Sequence, residues 1–179
     1  LYQLSSTPNE SNLADTRNFS RSYRRRLPAE VLLDAVNEVT GAEDTFAATA
    51  PGTRAMQTWS YKIDSQFMDA FSRPNPSSDP PCERERDLSV VQSLHLMNSK
   101  NLQVKLSDRQ GRVGKLAESG RTPEEIVKQL YLATLSRPPA DEELQVAVAM
   151  YSKPGAVRQT ATEDVLWALL NSPEFVFNH

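Results

Sequence analysis

The sequence holds a single cysteine, Cys82, and only two histidines, His95 and His179, in 179 residues. One thiol excludes an intramolecular disulfide and says little about the redox compartment. Two histidines exclude a multi-histidine metal site within the chain and leave only carboxylate or shared sites. No Gly-rich phosphate loop, no Cys-x-x-Cys-His haem attachment and no His-Glu-x-x-His pair occurs. Charge of one sign is missing as well: Lys plus Arg number 20 and Asp plus Glu 23, a formal net charge of -3. No general attraction to nucleic acid or anionic lipid follows, so nucleic acid is not expected as a partner. No apolar run approaches the roughly 18 residues of a membrane span, and Leu1 to Ser6 lacks the basic start and apolar core of a signal segment. With no Met at its start, the chain is expected to be an internal or C-terminal piece of a longer protein, with any export signal upstream of Leu1.

Proline, by contrast, is plentiful: twelve residues against six glycines, with 39% apolar and 24% charged residues overall. Such a balance suits one domain with long ordered loops, large enough to bury a contiguous core. The reading is a mainly α, single-domain fragment over 1–179. Residues 1–26 form an extended, polar lead-in, and residues 27–41 a helix in which Pro28 suits the first turn. Val31, Leu32, Ala35, Val36 and Val39 recur with helical spacing there, and Gly41 is placed for a left-handed end. Residues 42–86 are a proline-rich irregular insertion, with strand or short helix both open around Met56 to Tyr61 and Phe67 to Phe71. Residues 87–179 are a helical bundle. Within it Asp87 caps a helix running to Met97, and a short helix covers Asn101 to Leu106. Thr122-Pro123-Glu124-Glu125 is a capping box for a helix that Pro138-Pro139 stops. Ala140 or Asp141 opens the next, and Thr162-Glu163-Asp164 opens the last. Short connectors favour antiparallel packing of these C-terminal helices.

Four residues carry the chemistry-bearing candidates. Cys82, Glu83 and Arg84 belong to the densest group of reactive side chains, where Arg84 would favour thiolate, although alternating charge before a helix also makes a solvated, salt-bridged turn. His95 shares its helix with Leu94, Leu96 and Met97; a general base there needs a partner, and a half-buried structural histidine is the simpler use. Arg21, Arg24, Arg25 and Arg26, interleaved with Phe19 and Tyr23, suit either an anion patch or pairing with Glu30, Asp34 or remote carboxylates. Trp59, Tyr61, Phe67 and Phe71 suit a carbohydrate platform or anchors for the proline-rich loop, and Trp167 suits the core.

Read in order, the segments resemble a known family. Tyr2-Gln3-Leu4-Ser5-Ser6, Arg25-Arg26-Leu27-Pro28-Ala29-Glu30, Pro51-Gly52-Thr53-Arg54-Ala55 and Phe67-Met68-Asp69-Ala70-Phe71 come first. Cys82-Glu83-Arg84, Leu130 to Pro139 and Trp167 to Phe175 follow. Together they are similar to the C-terminal part of the planctomycete-type domain of unknown function 1553. The resemblance implies a large, exported, extracytoplasmic protein with a cytochrome-c-like domain and another domain of unknown function upstream. Haem c would then lie upstream and no cofactor or metal within this chain. Where the family pattern reads Cys-x-Cys-Glu-Arg, this chain has Pro80-Pro81-Cys82-Glu83-Arg84, which weakens a dithiol or metal role for the loop. The expected function is a helical accessory or interaction module. Its partners would be other domains of the same polypeptide and a cell-envelope protein or polysaccharide. The alternative is a hydrolase acting on complex polysaccharide, with Glu83, Arg84, His95 and one of Asp64 or Asp69 in a cleft, a reading that convergence in one pocket with Arg54 or Arg84 would favour.

Overall fold

Helix α1 spans Ala29–Thr40 and sets the frame for the first half of the chain. The computed structural model describes residues 5–15, 17–22, 25–58, 63–71, 73 and 98–178. Pro28 is not inside the first turn but precedes it as N-cap, with ψ 150°. Its extended backbone still aims the carbonyl along the axis, where it accepts from Leu32 N–H at 2.9 Å. At the other end Gly41 turns left-handed, φ 70°, and its N–H bonds the Asn37 carbonyl at 2.8 Å. The last carbonyls of α1 go to a cation: Arg112 donates from Nε to Val39 O at 2.6 Å and from Nη2 to Glu38 O at 3.1 Å.

The buried stripe of α1, Leu32, Leu33, Val36 and Val39 among it, packs on a 3₁₀ turn at Ala55–Gln57 and on helix α2, Gln66–Ala70. Around Phe67 the choice between strand and helix falls to helix, because Ser65 Oγ accepts from Met68 N–H at 3.3 Å and caps the first turn. Phe67 and Phe71, one turn apart, stack with centroids 4.6 Å apart.

Five helices follow the Asn98–Ser99 corner: α3 (Lys100–Ser107), α4 (Arg112–Glu118), α5 (Pro123–Leu135), α6 (Asp141–Ala149) and α7 (Arg158–Leu170), before the single turn α8 (Pro173–Val176). The capping box at the start of α5 is present as expected. Glu125 N–H donates to Thr122 Oγ1 at 3.3 Å and Thr122 N–H to Glu125 Oε2 at 2.7 Å, which holds the Glu125 carboxyl below its usual range. At α6 only half of that device exists: Glu143 accepts from Ala140 N–H at 2.8 Å, and alanine has no side chain to answer with.

One expectation for the bundle needs correction. The last long helix, α7, begins at Arg158, four residues before Thr162. Thr162 is buried inside it, donating back to the Arg158 carbonyl at 2.8 Å and accepting from the Tyr151 hydroxyl at 3.1 Å. A threonine that suits a cap in sequence serves here as a mid-helix hydrogen-bond partner. Arg158 also caps α4, reaching the carbonyls of Ala117 at 2.8 Å, Ser119 at 3.1 Å and Arg121. Helix α4 has no marked sequence signal, and Gly114 inside it disfavours a helix by propensity. Gly114 is required by packing: a Cβ there would lie 2.1 Å from the Arg109 carbonyl oxygen.

Helix α7 is the hub, touching α3, α4, α5 and α8. One continuous core joins α1 and α2 to α3 through α8. The fold is mainly α, with the C-terminal helices packed on one another. The lead-in and the last residues are zipped by β1 (Arg25–Arg26) and β2 (Phe177–Asn178), antiparallel, with Arg26 opposite Phe177. Leu27 N–H extends the zipper to Val176 O at 3.1 Å. The expected helix from Asp87 to Met97, and the proline-rich stretch from Pro74 to Arg86, lie outside the described residues.

Candidate functional site

Cys82, Glu83, Arg84 and His95 all lie outside the described residues, as do Tyr23, Arg24, Trp59 and Tyr61. Of the two acidic partners considered for them, Asp69 is engaged: it takes Arg73 Nη2 at 2.6 Å, one helical turn on. Asp34, offered as a partner for the arginine run, instead accepts the N–H groups of Ala55 at 2.6 Å and Met56 at 3.0 Å, fixing the 3₁₀ turn to α1. Arg26 lies with its guanidinium carbon 5.6 Å from the Phe71 ring centroid, a cation–π contact. Phe67 and Phe71 are thus anchors of this corner.

Asp64 lines a depression of about 710 Å³ built from residues 44–46, 64–67 and 98–101. Local chemistry brings these three stretches to one rim. Ser65 and Ser99 are the N-caps of α2 and α3, and Ser99 Oγ accepts from Leu102 N–H at 3.4 Å. The third stretch is held by Lys105 on α3. Its Nζ lies 2.7 Å from Asp44 Oδ2 and also bonds Asn37 Oδ1 on α1. Lys105 is only 8% exposed, so its ammonium depends on these partners. Phe46 is buried beneath the rim and Phe67 half-buried in its wall.

Asp44 also borders the second depression, about 280 Å³, between the end of α1, residues 52–54 and Arg112. Arg54 sits here, 3.6 Å from Glu38, in a pair so exposed that it contributes little. Arg54 and Asp64 therefore line different depressions. Among the described residues no group of three or more His, Cys, Asp or Glu side chains is arranged to hold a metal ion. Among them, too, no helix is long and apolar enough to cross a membrane.

Among the described residues, the charged cluster with the most hydrogen bonds lies elsewhere, where α5, α6 and α8 meet. Arg137 donates to Glu174 from Nε at 2.6 Å and Nη2 at 2.7 Å, and to Glu143 from Nη1 and Nη2, both at 2.8 Å. Its guanidinium carbon is 5.6 Å from the Tyr131 ring centroid. Arg137, helped by the Ala140 N–H, holds the Glu143 carboxyl down to about 2, and burial followed by the Glu143 charge pushes the Tyr131 phenol up. Glu143, then Glu174, raise Arg137 in turn. Every donor of this fork that is described has an internal acceptor, so the cluster is a structural tie.

The cleft residues Asp44 and Lys105 do not stand out in sequence, and no local signal marks them. Their pairing exists only because α3 packs beside the stretch after α1. Chemically, the cleft offers carboxylates at Asp44 and Asp64, an ammonium at Lys100, amides at Gln66, Asn98 and Asn101, and one aromatic wall.

A family model described as PSD1, protein of unknown function (DUF1553), matches residues 1–151. No curated protein and no solved structure matches the chain. The match stops within the 3₁₀ turn Met150–Ser152, before α7, α8 and β2.

Proposed function

Since the chain belongs to the DUF1553 family of proteins of unknown function, we propose that it serves as a helical accessory module that recognises a partner within an exported, cytochrome-linked multidomain protein. Haem c belongs in this reading to an upstream domain, because a chain with one cysteine has no Cys-x-x-Cys-His attachment. The module would act outside the cytoplasm, alongside other domains of its polypeptide and a component of the cell envelope. One observation carries the reading: several carboxylates, the candidate Asp69 among them, are built into structural ties. Asp69 holds Arg73, Asp34 holds the turn at Ala55, and Glu143 and Glu174 hold Arg137. The test is sedimentation of the purified chain with its own upstream haem domain and with envelope extracts. A co-sedimenting complex is expected; failure to associate with any of them would sink the proposal.

A hydrolase acting on complex polysaccharide is the second reading, favoured by Asp64 standing exposed in the cleft that Asp44 also lines. General acid–base cleavage of a glycosidic bond needs two carboxyl groups about 5 to 10 Å apart. Release of reducing ends from envelope polysaccharide, abolished in Asp64→Asn, would support it. Equal release by the variant would remove Asp64 from that role.

A further inference from the structure

The larger depression carries an inference about ligand class that deepens the recognition reading above and rests on it. At about 710 Å³ it falls within the range of roughly 300 to 1,000 Å³ typical of ligand sites, and most of its lining side chains are exposed or half-buried. Its chemistry is mixed. Asp44 and Asp64 accept hydrogen bonds, Lys100 donates them, and Gln66 and Asn101 do both. A strong anion would meet two carboxylates, and a strong cation would meet Lys100. An uncharged ligand rich in hydroxyl groups satisfies both kinds of partner, since each hydroxyl donates to a carboxylate and accepts from an amide or ammonium.

Two features make the depression a prepared surface. Asp44 is oriented from behind by Lys105, whose buried ammonium occupies Oδ2. Asp64, Gln66 and Asn101 are exposed, and among the described residues their side chains have no hydrogen bond or ion pair of their own. Phe67, half-buried and stacked on Phe71, gives the depression a short apolar border. We propose that this depression binds a short stretch of neutral polysaccharide, with Asp44, Asp64, Gln66 and Asn101 bonding its hydroxyls. Lys105 acts in it as a positioning residue, its ammonium bonded to Asp44 and Asn37.

The test is isothermal titration of the full chain with four neutral hexasaccharides, from β-glucan, α-glucan, mannan and xylan, and with a sulfated hexasaccharide as the charged control. At least one neutral probe should bind with little salt dependence. Asp64→Ala and Asn101→Ala, which break no internal bond, should each weaken it about tenfold, the factor expected from one lost hydrogen bond to a charged or well-placed group. Circular dichroism confirms that both variants remain folded. No binding by any neutral probe would overturn the inference, and so would binding indifferent to both substitutions or binding of the sulfated probe alone. Association with the upstream haem domain is measured on the same preparation. Loss of saccharide binding with that association intact sinks this inference alone, whereas loss of the association sinks the module reading.

Discussion

Arg137 grips Glu174 with two bonds, Nε to Oε1 at 2.6 Å and Nη2 to Oε2 at 2.7 Å, across 37 positions of sequence. The same guanidinium forks onto Glu143, so one side chain fastens the end of α5 to the start of α6 and to α8. Planar, five-donor geometry is the requirement, and charge alone does not meet it. Arg137→Lys should therefore lose most of what Arg137→Ala loses. Each side chain of the cluster is about a third exposed. With solvent screening allowed for, the alanine variant is expected to cost about 1 to 3 kcal/mol in urea unfolding. A lysine variant of full stability would show that the fork is not needed.

The same tie predicts acid sensitivity of a definite sign. Glu143 has a folded pKa of about 2, below its ordinary 4.5, because Arg137 and the Ala140 N–H favour its charged form. A depressed carboxyl contributes stability that is complete above the unfolded pKa and disappears as pH falls through the folded one. Thermal midpoints should therefore fall between about pH 4.5 and 2, and Glu143→Gln should flatten that limb while lowering stability at neutral pH. Asp15 and Glu125 are depressed as well, by hydrogen bonds from Ser20 and Thr122, so part of the slope will persist. An unchanged acid limb in Glu143→Gln would remove Arg137 from the account.

Elements with local signals are legible in the sequence. Pro28 and Gly41 bracket α1, and Thr122 with Glu125 opens α5, because capping and backbone restriction act over a few residues. Helix α4 is not legible, since its reason for existing is contact: Arg112 on the end of α1, and Gly114 beneath Arg109. Nor is the start of α7, where Thr162 imitates a cap but is buried. For the candidate site, the sequence offers Asp64 or Asp69 as an acidic candidate without deciding between them, whereas Asp44 and Lys105 join through packing of distant segments. Arg137 belongs in sequence only to the Leu130 to Pro139 segment that resembles the family, and its fork onto Glu174 depends on α8 folding back beside α5.

Gly114 offers a sharp test of the packing that places α4. An added Cβ would meet three backbone atoms of Arg109, at 2.1, 2.4 and 2.5 Å, none of which can rotate away as a side chain would. By helix propensity alone, Gly→Ala stabilises by about 1 kcal/mol. Overpacking opposes it and wins, so Gly114→Ala is expected to destabilise by about 1 to 3 kcal/mol. Gly120→Ala, with nothing within 4 Å of the new atom, is the matched control and should be near neutral. A stabilised Gly114→Ala would mean that the turn before α4 is not packed this closely.

Residues 152–178 lie beyond the family match, yet they hold the centre of the fold. Leu166 and Leu170 are fully buried, and Val165 and Leu169 nearly so. Burial of each such side chain is worth about 1.5 to 3 kcal/mol, so four together approach the whole stability of about 5 to 15 kcal/mol that a domain of this kind has. Removing α7 would also strip the partner face from α3, α4 and α5, and removing β2 would free the lead-in strand. A chain ending at Tyr151 is therefore expected to show no cooperative thermal transition and to bind a hydrophobic dye, while the chain through Asn178 unfolds in one step. A chain ending at Leu170 separates the two contributions: it keeps α7 but loses α8, β2 and the Glu174 arm of the Arg137 fork, and should remain folded with a lowered midpoint. Cooperative unfolding of the chain ending at Tyr151 would show that the matched segment is a domain by itself and that α7 merely leans on it.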